Sequence, residues 1–179
     1  DDFRIRTALP TLQWLVAHGA RVTVCSHLGR PDGKTDQRWA MAPVRERLQT
    51  LCPGVELMEN LRFDPGEEGN DERLVDSLVA GFDAYVNEAF GVAHRSHASI
   101  VGPPTRLPSA AGIRLRKEVE VIGGLLEAPK RPFVAVVGGA KVAEKLGVLR
   151  SLAEKADVLA VGGAMAFTFL RALGHEVGS

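Results

Sequence analysis

The sequence predicts an α/β fold built from βαβ units around a parallel sheet. Two observations predict it. Apolar runs of strand length alternate with longer segments whose apolar residues fall at helical spacing. The composition over 179 residues, 45% hydrophobic and 25% charged, is that of a globular chain with enough apolar surface for a core.

Taken in order, Ile5, Leu9, Leu12 and Val16 share one face of an opening helix, with Asp1 or Asp2 as N-cap and Gly19 as its stop. Residues 21–26 (RVTVCS) read as the first strand, and later strands are expected at 55–58, 84–87, 133–137 and 158–161. Helices are expected at 42–51, 72–80, 113–127, 142–156 and 164–173. Residues 102–112 (GPPTRLPSAAG) read as a Pro- and Gly-rich loop. The helix after it carries Leu115, Val119, Ile122 and Leu126 on one face and is suited to link two lobes. Gly123 and Gly124 inside it each cost about 1 kcal/mol relative to Ala, and close packing is the expected reason, with bending as the alternative. The organisation expected is a first lobe over 1–112, a connecting helix over 113–130, and the start of a second lobe over 131–179.

Lys and Arg number 22 against 22 Asp and Glu. A duplex binder carries a basic excess, so no nucleic-acid partner is expected and any anion site must be local. The longest apolar stretch, Val158 to Leu170, falls short of the ~20 residues of a membrane span, and the first residues lack the pattern of a secretory signal. Cys25 and Cys52 sit in or beside apolar runs and read as reduced thiols of a cytoplasmic protein.

In a parallel α/β sheet, ligands bind beyond the carboxyl ends of the strands. Three loops there are basic: His27 to Lys34 with Arg30, Asn60 to Phe63 with Arg62, and His94-Arg95-Ser96-His97. Arginine forks and histidine donors on one rim suit a phosphate or carboxylate. His94 and His97 with Cys25 do not make a metal signature, because H-x-x-H alone is nonspecific, and no metal site is expected. Further on, Gly138-Gly139-Ala140-Lys141 leads a strand into a helix, where backbone N–H groups and the helix dipole can approach an anion. Lys141 and Lys145, at i and i+4, are expected to share a helix face and repel unless an anion lies between them. Gly162-Gly163-Ala164 repeats the strand-to-helix turn. The first of these turns is neither a Walker A loop nor G-x-G-x-x-G, because Ala140 occupies the second required glycine.

These segments, with Glu59-Asn60-Leu61-Arg62-Phe63, Asn87-Glu88-Ala89-Phe90-Gly91, Ala93 to Ser99 and Gly162 to Phe169, resemble the phosphoglycerate kinase family over the whole chain, in family order. The resemblance implies a Rossmann-like N-terminal lobe that binds 3-phosphoglycerate or 1,3-bisphosphoglycerate, and the start of a C-terminal lobe that binds ATP or ADP with Mg2+, joined by hinge closure. It implies that Arg4 reaches the transferring phosphoryl group, and that His27, Arg30, Arg62, His94 and Arg95 hold the substrate. Lys141 and Lys145 would serve catalysis and the nucleotide, with Gly139, Ala140, Gly162 and Gly163 lining it. Glu88 stands where the family usually has Asp, and Ala164 where some members have a third glycine. An R-x-D-x-N-V-P strand before Asp1 and most of the nucleotide lobe after Ser179 are absent, so a fragment of a monomeric parent is expected, with the metal ligands outside it. Two other readings are a binding fragment that captures phosphorylated acids without turnover, and a dinucleotide-dependent oxidoreductase, against which Ala140 in place of a glycine argues.

Overall fold

A computed structural model describes residues 1–178. Contacts divide the chain into two compact units, Asp1–Val119 and Glu120–Ser179. In the first unit, helix α1 (Phe3–Ala17) begins with Asp2 at the cap position, but it is the Asp1 carboxylate that accepts from the Phe3 amide, at 2.8 Å. Asp2 instead bridges helices, pairing with Arg6 at 3.0 Å and with Arg47 of α2 (Ala42–Leu51) at 2.6 Å. Strand β1 (Thr23–Val24) pairs in parallel with β2 (Glu56–Leu57). The core between them collects Leu12, Met41, Leu48, Cys52, Val55 and Leu57, with Ile5 and Leu9 packed against it, so the helical stripe of α1 faces inward as its spacing demands.

The chain continues through the single turn α3 (Gly66–Gly69) and α4 (Glu72–Val79), whose N-cap Asp71 accepts from the Arg73 and Leu74 amides. Strand β3 (Tyr85–Asn87), the single turn α5 (Ala98–Val101) and strand β4 (Ser109–Ala111) follow. β4 corrects the expectation of a loop over 102–112: Ser109-Ala110-Ala111 pairs in parallel with Tyr85-Val86-Asn87. Small side chains and neighbouring prolines hide such a strand, because its stability comes from the partner's ladder and not from an apolar face.

Helix α6 (Ile113–Glu127) starts in the first unit, and side chains far away in sequence cap it. Thr11 Oγ1 accepts from the Ile113 amide at 2.9 Å, and Glu88 Oε1 accepts from the Arg114 amide at 3.1 Å and from the Thr11 hydroxyl at 2.7 Å. The Leu115 amide reaches Glu88 Oε2 at 3.4 Å. The leading N–H donors of a helix lack intrahelical acceptors, and these two side chains supply them. Gly112 is glycine because a Cβ there would lie 1.8 Å from Glu88 Oε2. Packing does not explain Gly123 and Gly124, since a Cβ at either would meet nothing within 4 Å.

In the second unit, β5 (Val134–Gly138) and β6 (Val158–Gly162) pair in parallel, with Gly138 opposite Gly162. Between them the expected helix over 142–156 begins late: Ala143–Lys145 is a tight 3-10 turn and α7 runs Leu146–Lys155. α8 (Met165–Ala172) follows β6. The fold is α/β, and among the described residues all pairing is parallel and six strands form three separate two-stranded sheets rather than one continuous sheet. Among the described residues no helix is long and apolar enough to cross a membrane.

Candidate functional site

Two of the three basic loops of the first unit are knitted together by one buried side chain, Asn60. Asn60 Nδ2 donates to the carbonyls of Leu28 (2.7 Å) and Trp39 (2.9 Å), while its Oδ1 accepts from the amides of Leu28 (3.3 Å) and Arg62 (3.1 Å). The Leu61 amide donates to Ser26, and the Gly33 amide to Arg62. A buried amide with donors and acceptors all used fixes the loop bearing His27 and Arg30 against the loop bearing Arg62.

Arg62 is itself only 7% exposed. Its Nη1 donates to the Gly29 carbonyl at 2.8 Å, and Nε lies 3.1 Å from Glu68 Oε1. That second contact is a charge pairing and not a hydrogen bond, because Nε has no aligned acceptor among the described residues. Gly29 is held to glycine by Trp39, whose ring lies 2.3 Å from where a Cβ would stand.

Burial pushes the His27 imidazole down to about 4, and the charges of Arg62, His97, Arg4 and Arg95 add to the effect. Charges carried by α1, the second loop and the third loop thus all act on His27. Arg30 and His94 stand exposed on the first and third loops. A neutral His27 surrounded by cations is a donor-rich cup for an oxyanion.

The same geometry fixes a pH dependence. The unfolded chain protonates His27 near 6.5 while the folded chain resists until about 4, so the unfolded state binds more protons between these values. Stability is therefore full above pH 6.5 and is lost as pH falls from 6.5 through about 4. His27→Gln is expected to flatten that part of the curve in urea unfolding across pH, and superimposable profiles for variant and parent would refute it.

Behind the cup, Glu67 is 1% exposed, with Oε1 accepting from Ser99 Oγ at 2.7 Å and Oε2 from the Ser99 amide at 3.0 Å. His97 Nδ1 lies 3.7 Å from Oε1. Burial and then the Glu67 charge push the Cys25 thiol up to about 11, and Cys25 and Glu67 add to burial in raising the Tyr85 phenol. Asn60, Glu67 and Ser99 were not singled out by the sequence. The only signal was their place beside the basic residues, since a buried polar staple looks like any loop residue.

In the second unit the two glycine turns touch. The Met165 amide donates to the Gly139 carbonyl at 2.8 Å, and Gly163, at φ +68°, has its Cβ position 2.9 Å from the Gly139 nitrogen. Ala140 and Gly162 flank this contact. The lysines do not share a helix face as expected, because the tight turn redirects them. Lys141 pairs with Glu144 at 2.9 Å, and Lys145 Nζ folds back to donate to the Gly138 carbonyl at 2.8 Å. Lys145 also sits at the N-cap of α7.

The phosphoglycerate kinase family profile matches residues 1–57 and 52–179. A phosphoglycerate kinase of Rubrobacter xylanophilus is 50% identical over 100% of this chain and 52% of its own length, and one of Salinispora arenicola is 48% identical over 100% and 52%. The solved phosphoglycerate kinase of Coxiella burnetii superposes with a TM-score of 0.89 at 38% identity, covering 100% of this chain and 51% of that one. That of Pyrococcus horikoshii OT3 gives 0.81 at 28% identity, covering 99% and 51%. The chain thus spans about half the length of the curated relatives it matches. With a match along its whole length and a parallel α/β architecture shared with solved members, the chain belongs to the phosphoglycerate kinase family.

Proposed function

We propose that this chain is the part of a phosphoglycerate kinase that takes 3-phosphoglycerate or 1,3-bisphosphoglycerate in its first lobe (1–112) and opens the nucleotide lobe (131–179), joined by the helix over 113–130. The observation that carries the reading is the fixing of the His27–Arg30 loop against the Arg62 loop by Asn60, with the charges of Arg62, His97, Arg4 and Arg95 acting on a half-buried His27. In this reading His27, Arg30, Arg62, His94 and Arg95 hold the phosphorylated acid, and Arg4 meets the phosphoryl group in transfer. Gly139, Ala140, Gly162 and Gly163 line ADP or ATP, and Lys141 and Lys145 balance the charge of its phosphates.

The reaction is reversible in-line transfer from the acyl phosphate of 1,3-bisphosphoglycerate to ADP, giving 3-phosphoglycerate and ATP. Such a step asks little covalent chemistry of the protein and depends on positioning and fixed positive charge. Mg2+ accompanies the nucleotide and screens its phosphates. The described residues contain no cluster of three or more His, Cys, Asp or Glu side chains fit to hold it, so no step is assigned to the metal on this chain. The setting is that of a monomeric, cytoplasmic, glycolytic enzyme.

Titration calorimetry of this chain with 3-phosphoglycerate tests the reading. Saturable heat is expected, weakened on the order of tenfold or more by Arg62→Ala, because a charge-assisted contact is lost. Absence of heat from a chain with a cooperative unfolding transition overturns the substrate assignment. Capture without turnover is the alternative for a chain of half the relatives' length, and a coupled assay with Mg-ATP separates it from catalysis.

A further inference from the structure

We propose that Glu67 is a positioning residue of the anion cup: it staples the Arg62 loop to the Arg95–His97 loop and so sets the spacing of the cations that receive a phosphorylated acid. The proposal rests on the reading of the cup given above and extends it to a residue that would not itself touch the ligand.

The single turn α3 carries two adjacent carboxylates that serve different loops. Glu68 stays with its own loop, against Arg62 Nε at 3.1 Å. Glu67 reaches across to the third loop, where Ser99 gives it both a hydroxyl and an amide hydrogen bond, at 2.7 and 3.0 Å. Ser99 lies in the first turn of α5, directly after His97, so this bond fixes the end of the segment that carries His94, Arg95 and His97. His97 Nδ1 lies 3.7 Å from Glu67 Oε1, and the Glu67 charge reaches Cys25 and Tyr85. Arg62, His97, Arg4 and Arg95 are the charged groups that act on His27.

A carboxylate at 1% exposure is costly unless hydrogen-bonded and charge-matched, and an apolar side chain would join two loops more cheaply. Its charge has the same sign as the ligand, so its through-space field opposes binding. Any favourable contribution of Glu67 must come from where it holds the cations. Field and position therefore predict opposite signs for one substitution.

Glu67→Gln keeps the shape and removes the charge. On the staple, affinity for 3-phosphoglycerate falls about tenfold by calorimetry, as expected when a buried charge-assisted contact is broken. Tighter or unchanged affinity overturns the proposal. A merely structural residue would lower the urea midpoint and leave the affinity of the folded protein alone, which is the same refuting result. Ser99→Ala keeps the carboxylate and loses one bond, and it is expected to weaken binding in the same direction by less. It carries the comparison if Glu67→Gln does not fold. If the parent chain takes up no 3-phosphoglycerate, the cup reading fails by itself, and the staple is judged by amide hydrogen exchange. There Glu67→Gln is expected to accelerate the Ser99 amide by about tenfold while the Arg73 amide in α4 keeps its parent rate. Equal rates at Ser99 overturn the staple independently of the ligand.

Discussion

Alanine at Lys145, in a chain extended to the length of its relatives, is expected to lower turnover by roughly 10²- to 10³-fold while the affinity for 3-phosphoglycerate changes little. The ammonium is already aimed at the glycine turn, 2.8 Å from the Gly138 carbonyl, and 3.0 Å from where a Cβ would stand on Gly139. Its position at the N-cap of α7 places a cation at the positive end of a helix dipole, which is unfavourable until an anion arrives. In the proposed transfer, a phosphoryl group gathering charge in the transition state would satisfy lysine and helix together, so the contribution should appear in kcat more than in binding. Lys141 differs: it is exposed and engaged by Glu144, and an exposed pair of this kind contributes little. Steady-state kinetics decides, and equal kcat in variant and parent would sink the role assigned to Lys145.

Glu88→Ala is expected to destabilise the chain by about 3 kcal/mol, since it strips acceptors from two backbone amides and a buried hydroxyl. The Arg114 and Leu115 amides and the Thr11 hydroxyl would all lose their partner in Glu88. Glu88→Gln keeps one accepting oxygen and should lose less. Urea unfolding measures both, and a midpoint unmoved by Glu88→Ala would show that water caps α6 just as well.

Much of this was legible in the sequence. The helices over 42–51 and 113–127 have the bounds their apolar spacing implies, and the resemblance named the family that the comparisons then showed. β1, β2 and β3 were legible as apolar runs, although their paired parts are shorter than the runs, while β5 and β6 lie within one residue of the expected bounds. β4 was hidden, since Ser109-Ala110-Ala111 carries no pattern without Tyr85-Val86-Asn87 beside it. The lysine pair misled because helical spacing was extended through a 3-10 turn, in which i and i+4 no longer coincide. Asn60, Glu67 and Glu88 were illegible as structural staples, since their distant partners lie 21 to 77 positions away. Spacing rules speak only about neighbours along the chain.

The three strand pairs have a consequence for the order of events during folding. Each joins residues far apart along the chain, Thr23 with Glu56, Tyr85 with Ser109 and Val134 with Val158, and none shares a strand with another. Every ladder must therefore close its own long loop, without an existing sheet to extend, before its hydrogen bonds return anything. Helices α1, α2 and α6, whose internal backbone hydrogen bonds are local, can form on a much shorter timescale. The slow part of folding is therefore expected to be the meeting of strands, once for each pair.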